Sequence, residues 1–376
     1  MTHAVILMAN NSSVHYFTWF AELTSKYPDI KLTFIALHKE RPAMLDEMEE
    51  LGCDCIWVYF DSNKRKRSMV SSFFKLYRIF RRIKPDAVNP HLFDDAVPSL
   101  FAAKLAGVPV RAVTKQDTWI HYNYNPGIMK FDRFNNRNAS VIVAVSEESK
   151  EFILNHEKAN PEKVIVVHQG ISPNVFHSRS EEEIKAVKDK FGLHNRKIVA
   201  AVGRLTPLKN NNLVIEAAEK VISKHPEALF VFVGSGDPDY KEELKTMIRN
   251  KGLENHFIIT GWVDKQTLAN LYSVMCCMVH TSQSEAFGFV IAEAMMSGTC
   301  IVSTARGCAR DVFVHKENGY LAEENNPVSL AEGINYVIEN CNSGMGTKAR
   351  ETALKYFDVE LMFQRYLEIY NNTFKK

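Results

Sequence analysis

The sequence predicts an α/β protein made of two Rossmann-like, doubly wound parallel-sheet domains, and three observations predict it. Short apolar runs of strand length alternate with helix-length amphipathic segments along the chain. The alternation breaks in a polar, charged stretch between about residues 177 and 196 and restarts at residue 197. The length of 376 residues exceeds that of an ordinary single domain. We place one domain at residues 1–175 with a C-terminal helix at 358–376, and the other at residues 176–357. Ligands of such sheets sit beyond the carboxyl ends of the strands, so the expected site is a cleft across which the two domains face each other.

In order, residues 4–9 read as a strand running into the polar loop Asn10-Asn11-Ser12-Ser13, and residues 15–23 have helical spacing. Strands are expected at 32–37, 55–60, 87–89, 110–114, 141–145 and 164–167, with helices at 42–51, 71–83, 97–106 and 147–156. A helix at 181–191 follows the break at Gly170-Ile171-Ser172-Pro173-Asn174. The second series has strands at 197–202, 229–233, 257–260, 276–281 and 300–304. Its helices are expected at 212–224, 240–250, 265–272, from 286 onward, and at 328–341. An aromatic-rich amphipathic helix at 359–374 ends the series.

Composition narrows the function classes. Hydrophobic residues make up 46% and charged residues 24%, an ordinary globular balance. The net charge of +2 implies no global attraction to nucleic acid. Seven cysteines, an odd number without zinc-ligand spacing, read as small buried hydrophobes in a reducing compartment. The first apolar run is too short for a signal peptide, and no window approaches the ~18 apolar residues of a membrane span. A cytoplasmic chain is the expectation.

Candidate chemistry gathers in the second domain. Between Ala286 and Met296 the only charged residue is Glu293, and a carboxylate inside an apolar helix is costly unless it binds something. Glu285 stands eight residues earlier in the entry loop. Ala286-Phe287-Gly288-Phe289 opens the helix, whose first-turn amides can receive a diphosphate. Glu293 then suits a ribose diol, and Glu285 suits hydroxyls of a transferred sugar. The strand at 197–202 is followed by Gly203, Arg204 and, five residues on, Lys209. Two cations beside a helix start form an anion site, though the same residues also read as a solvated turn. Gly234-Ser235-Gly236 allows a backbone to approach a ligand, or is a plain turn. Asp237-Pro238-Asp239 spells a metal-binding D-x-D but reads better as a solvated loop, so no metal is assigned.

These motifs, with Gly261-Trp262-Val263 and the order Ser303-Thr304, Gly307, Asp311, Gly319-Tyr320-Leu321, resemble the glycosyltransferase family 4 (glycosyl transferases group 1) enzymes with the GT-B fold. The resemblance runs along the whole chain and is strongest over residues 197–325. It implies sugar transfer from a nucleotide-sugar donor to a glycan or lipid-linked acceptor, with retained configuration and without metal or cofactor. It assigns catalytic roles to Glu285, Lys209 and Arg204. Arg204 and Lys209 would hold the diphosphate, Glu293 the ribose, and Gly234, Gly236, Val263, Phe287, Gly288 and Phe289 would line the donor site. The family's acceptor-side histidine has no single counterpart: His15, His91, Gln116 and His121 compete, with His91 and His121 taken as catalytic candidates. A non-catalytic sugar-nucleotide-binding subunit and a GT-B epimerase are the alternatives. Finally, the basic stretch from Lys64 to Lys84 mixes aromatics with cations and suits an anionic membrane surface, or is an ordinary basic surface helix.

Overall fold

The computed structural model describes residues 1–9, 15–116, 126–177 and 179–373. The chain forms two compact units, residues 1–170 with 359–376, and residues 171–358. The first begins β1 (Thr2–Met8), α1 (His15–Thr24), β2 (Ile30–His38), α2 (Met44–Glu50), β3 (Asp54–Tyr59) and α3 (Arg65–Ile83). It continues β4 (Ala87–Pro90), α4 (Phe93–Ala106), β5 (Val110–Lys115), α5 (Met129–Asn138), β6 (Val141–Ala144), α6 (Glu147–Asn155) and β7 (Val164–Val166). Its seven strands are parallel, in the order β3-β2-β1-β4-β5-β6-β7. The order reverses direction between β1 and β4. Right-handed crossovers therefore lay α3, α4, α5 and α6 on one face of the sheet and α1 and α2 on the other.

The second unit runs α7 (Glu181–Phe191), β8 (Lys197–Val202), α8 (Asn211–Lys224), β9 (Ala228–Val233), α9 (Pro238–Asn250), β10 (Phe257–Gly261) and α10 (Lys265–Val274). Then come β11 (Met275–His280), α11 (Phe289–Met296), β12 (Ile301–Ser303), α12 (Cys308–Val312), β13 (Tyr320–Leu321), α13 (Pro327–Asn340) and α14 (Met345–Tyr356). Its parallel sheet has the order β10-β9-β8-β11-β12-β13, so direction reverses between β8 and β11. The last helix, α15 (Val359–Tyr370), belongs to the first unit. There Phe363 and Tyr366 pack edge-on against Phe20 of α1, with ring centroids 5.1 and 5.3 Å apart.

Local chemistry explains where elements begin. The α7 helix opens with a capping box in which Ser180 and Glu183 satisfy each other's amides, and it closes at left-handed Gly192. Asp264 caps α10, and Asn326 caps α13 ahead of Pro327. The D-x-D resolves the same way: the Asp237 carboxylate accepts from the Asp239 amide and caps α9.

Several boundaries move from expectation. The α3 helix starts at Arg65, so all of the basic run but Lys64 lies inside it, and α4 starts at Phe93 with Asp94 and Asp95 favourably placed in its first turn. The α11 helix starts at Phe289, which puts Phe287 and Gly288 in the preceding loop. Two long helices had no apolar signal. The α5 helix buries Asp132, Asn135, Asn136 and Asn138, and α14 buries Gly346, Ala349 and Ala353. The predicted loop at 10–14, the side chain of His15, and His121 lie outside the described residues. All seven cysteines are free thiols. No helix among the described residues is long and apolar enough to cross a membrane.

Candidate active site

The second unit's sheet reverses direction between β8 and β11, and such a switch point opens a crevice at the strands' carboxyl ends. Two loops meet there. The loop after β8 carries Gly203, Arg204 and one 3-10 turn, Pro207–Lys209. The loop after β11 runs from Thr281 to Gly288. The Gln283 amide donates to the Leu208 carbonyl at 3.0 Å, and the Thr281 hydroxyl donates to the Lys209 carbonyl at 3.0 Å.

This lacing brings Lys209 Nζ to 2.5 Å from Glu285 Oε2. His280 Nε2 is 3.4 Å from the same oxygen, and His280 Nδ1 is 3.5 Å from the Ser303 hydroxyl on β12. Burial alone would push the Glu285 carboxyl up. The hydrogen bond from His280 and the Lys209 charge overcome that and hold it at about 2. Glu285 is thus ionised throughout the physiological range. Gly307 closes the loop from behind with φ +60°, and a Cβ there would lie 2.4 Å from the Phe287 carbonyl oxygen. Arg204 is exposed at the rim of a small cavity that Lys209, Asn211, His280 and Ser282 also line.

Glu293 faces the opposite situation. It is half-buried on the second turn of α11, where one oxygen accepts from the Tyr272 hydroxyl at 2.9 Å. Burial pushes its carboxyl up to about 7, and Tyr272 and Lys265 offset only part of that. Gly288, with φ +89°, precedes Phe289 and contributes no side-chain cap. The Ile291 amide donates to the Gly288 carbonyl at 2.9 Å, so within the helix it is the Phe289 and Val290 amides that are left for a ligand.

The glycine turn after β9 packs backbone against backbone. A Cβ on Gly234 would sit 2.1 Å from the Gly203 carbonyl oxygen, and one on Gly236 2.2 Å from the Leu205 carbonyl oxygen. The glycines let this turn pack against the Gly203–Leu205 backbone, with bridges Leu205–Gly236 and Gly234–Gly261. They place the cationic loop. Val263 follows in the loop beyond β10, beside a 75%-exposed Trp262.

In the first unit, His91 is buried under aromatic rings, with Tyr16 at 5.3 Å and Phe17 at 5.0 Å between centroids. Burial pushes its imidazole down to about 3, and its Nδ1 pairs with Gln116 Nε2 at 3.2 Å. It is a neutral hydrogen-bonding group at physiological pH.

The sequence reading missed Tyr272 and His280, and it named Ser303 and Gly307 only as part of the resemblance. His280 had a usable signal, being the last residue of an apolar strand at the sheet's carboxyl edge. Tyr272 had none, because an aromatic on a helix ordinarily reads as core.

Comparison with known proteins gives the family and the fold. The family described as Glycosyl transferases group 1 matches residues 183–353, and Glycosyltransferase Family 4 matches residues 28–175. An uncharacterized glycosyltransferase of Methanocaldococcus jannaschii is 32% identical over 202 residues, 53% of this chain and 51% of that protein. The chain thus spans about half the length of that relative. The UDP-Gal:alpha-D-GlcNAc-diphosphoundecaprenol alpha-1,3-galactosyltransferase of Escherichia coli is 26% identical over 286 residues, 72% and 71% of the two chains. Anabaena HepE, solved in complex with UDP, superposes with a TM-score of 0.84 at 21% identity over 99% of this chain and 100% of that one. Two consecutive family matches over most of the chain, on two doubly wound sheets, place it: the chain belongs to the glycosyl transferases group 1, glycosyltransferase family 4, and has their GT-B fold.

Proposed function

We propose that the chain transfers a sugar from a nucleoside-diphosphate sugar to a glycan or lipid-linked acceptor, retaining the anomeric configuration and using no metal. One observation carries the reading: the ion pair of Lys209 with Glu285, backed by His280, in the loop that leads to the uncapped N-terminus of α11. The diphosphate would take the first amides of α11 together with Arg204 and Lys209. Those groups meet the charge that grows on the leaving phosphate as the glycosidic bond breaks. Lys209 would then divide its hydrogen bonds between phosphate and Glu285. The ionised Glu285 would accept from hydroxyls of the donor sugar, and Glu293 would accept from the ribose diol. A UDP complex of one GT-B neighbour and a lipid-linked acceptor in the name of one relative support the donor and acceptor classes. A cytoplasmic location accords with nucleotide-sugar use.

The test is nucleotide release from a panel of UDP-, GDP- and ADP-sugars. Wild type should release nucleotide from at least one donor. Lys209→Ala and Glu285→Ala should each lower turnover by roughly 100- to 1000-fold with the unfolding transition preserved. Wild-type turnover in either variant refutes the assignment.

A further inference from the structure

One face of the first unit has a composition that sugar transfer does not require. The helices α3, α4 and α5 lie side by side on one face of the sheet. Lys and Arg number seven on α3, one on α4 and three on α5. Against them stand three carboxylates, none of them free: Asp94 pairs with Arg65 at 2.9 Å, Asp132 is buried against Lys115, and Asp95 is buried. The local excess of eight exceeds the whole chain's +2, so the rest of the molecule is net acidic. Charge is segregated onto this face.

The same face carries large apolar side chains in the open. Val70 and Phe74 on α3 are 59% and 55% exposed, and Leu105 on α4 is 53% exposed. An aromatic row crosses all three helices. Phe73 and Phe74 touch at 5.1 Å, Phe73 stacks on Phe101 of α4 at 5.5 Å, and Phe101 meets Phe134 of α5 at 5.6 Å. The inner sides of α3 and α4 are already spent on the sheet core with Leu76, Phe80, Ala102 and Ala103. Phe73 also packs on that core, whereas Val70, Phe74 and Leu105 stay open to solvent outside it. Glu147 and Glu151 on neighbouring α6 mark where the basic face ends.

We propose that the outer face of α3, α4 and α5 docks on an anionic lipid bilayer, with Phe74, Phe101 and Phe134 at the headgroup boundary and the flanking Lys and Arg on the lipid phosphates. Charge complementarity selects an anionic surface. Aromatic and branched side chains interleaved with the cations select a bilayer, which has an apolar layer beneath its charge, over a purely polar polyanion. The sequence pointed only to the stretch from Lys64 to Lys84. The structure adds α4 and α5, and with them a surface rather than a single helix.

The test is flotation of the full chain with phosphatidylcholine vesicles and with vesicles that also contain phosphatidylglycerol. Wild type should float with the anionic vesicles only, and less well as salt rises. The triple variant Lys75→Gln, Arg78→Gln, Arg81→Gln should bind them roughly a hundredfold more weakly, at about fivefold per charge. The double variant Phe74→Ser, Phe101→Ser should bind several-fold more weakly while keeping the salt dependence. Unfolding transitions check that both variants fold. Equal flotation of wild type and the triple variant, or no flotation of wild type, overturns the proposal. So does equal binding of wild type and the double variant to heparin and to vesicles, which would make the face a general polyanion site. The outcome is separable from the sugar-transfer reading, because nucleotide release needs no vesicles and neither variant touches Lys209, Glu285 or Glu293.

Discussion

Glu285 and Glu293 are eight residues apart, and their surroundings move their carboxyl groups in opposite directions, to about 2 and about 7. Glu285 has the Lys209 ammonium and the His280 ring as neighbours, whereas Glu293 has a phenol hydroxyl. For Glu293 the folded value lies above the ordinary 4.5, so it contributes stability only below that value, and the contribution is lost as pH rises toward 7. Glu293→Gln should therefore raise the unfolding free energy by roughly 1–3 kcal/mol above neutral pH, with the gain vanishing under acid conditions. The same variant should weaken nucleoside-diphosphate binding. In wild type that binding should fall about tenfold per pH unit below the carboxyl's transition, and in the variant this component should be absent. Stability rising while affinity falls marks a residue kept for a ligand; calorimetric titration across pH reads both limbs. A glutamate among Val290, Ile291 and Ala292 was conspicuous in the sequence because burial and charge conflict there. Tyr272, which takes one of its oxygens, left no such trace, since nothing local is wrong with a tyrosine on a helix.

At the scale of elements, the loops matter more than the strands they follow. Gly203, Gly234 and Gly236 form a layer of backbone packed on backbone, and that layer positions the loop bearing Arg204 and Lys209. Gly234 combines φ +138° with a would-be Cβ 2.1 Å from the Gly203 carbonyl oxygen. Gly252 also has positive φ but has nothing within 4 Å of a Cβ. Gly252→Ala should cost about 1 kcal/mol, the intrinsic penalty of a left-handed backbone. Gly234→Ala should cost about 3 kcal/mol or more, because the clash is with backbone that cannot step aside. It should also weaken nucleotide binding, as Gly252→Ala should not. Denaturant titration of the pair separates conformational strain from close packing. The helix expected at 181–191 is α7, and the structure shows Ser180 capping it and Gly192 ending it. The α5 helix was not expected, because it buries Asp132 against Lys115 and Asn136 against Glu157, and a buried polar network carries no hydrophobic period.

For the molecule as a whole, the connection of the units differs. The first needs both ends of the chain, since α15 supplies buried Met362, Phe363, Tyr366, Ile369 and Tyr370 to a unit that otherwise ends at residue 170. The second is one uninterrupted stretch, residues 171–358, with its own sheet and its own core from Val199 to Met345. The residues assigned to the donor, Arg204, Lys209 and Glu293 to its nucleotide and Glu285 to its sugar, lie within it. A chain cut to residues 171–358 should accordingly fold in a single cooperative transition. A chain ending at residue 358 should leave the apolar surface facing α15 uncovered and aggregate through it. If the donor assignment is right, the fragment should keep the response to nucleoside diphosphate. A ligand at about a hundred times its Kd adds about 2.7 kcal/mol to a folded domain, or roughly 5–10 °C in Tm for a domain of this size. The decisive comparison is the fragment against its own Lys209→Ala variant. A shift in the first and none in the second locates the diphosphate in this unit. A fragment that folds yet does not respond, while the full chain does, would show that the first unit supplies a group the nucleotide requires.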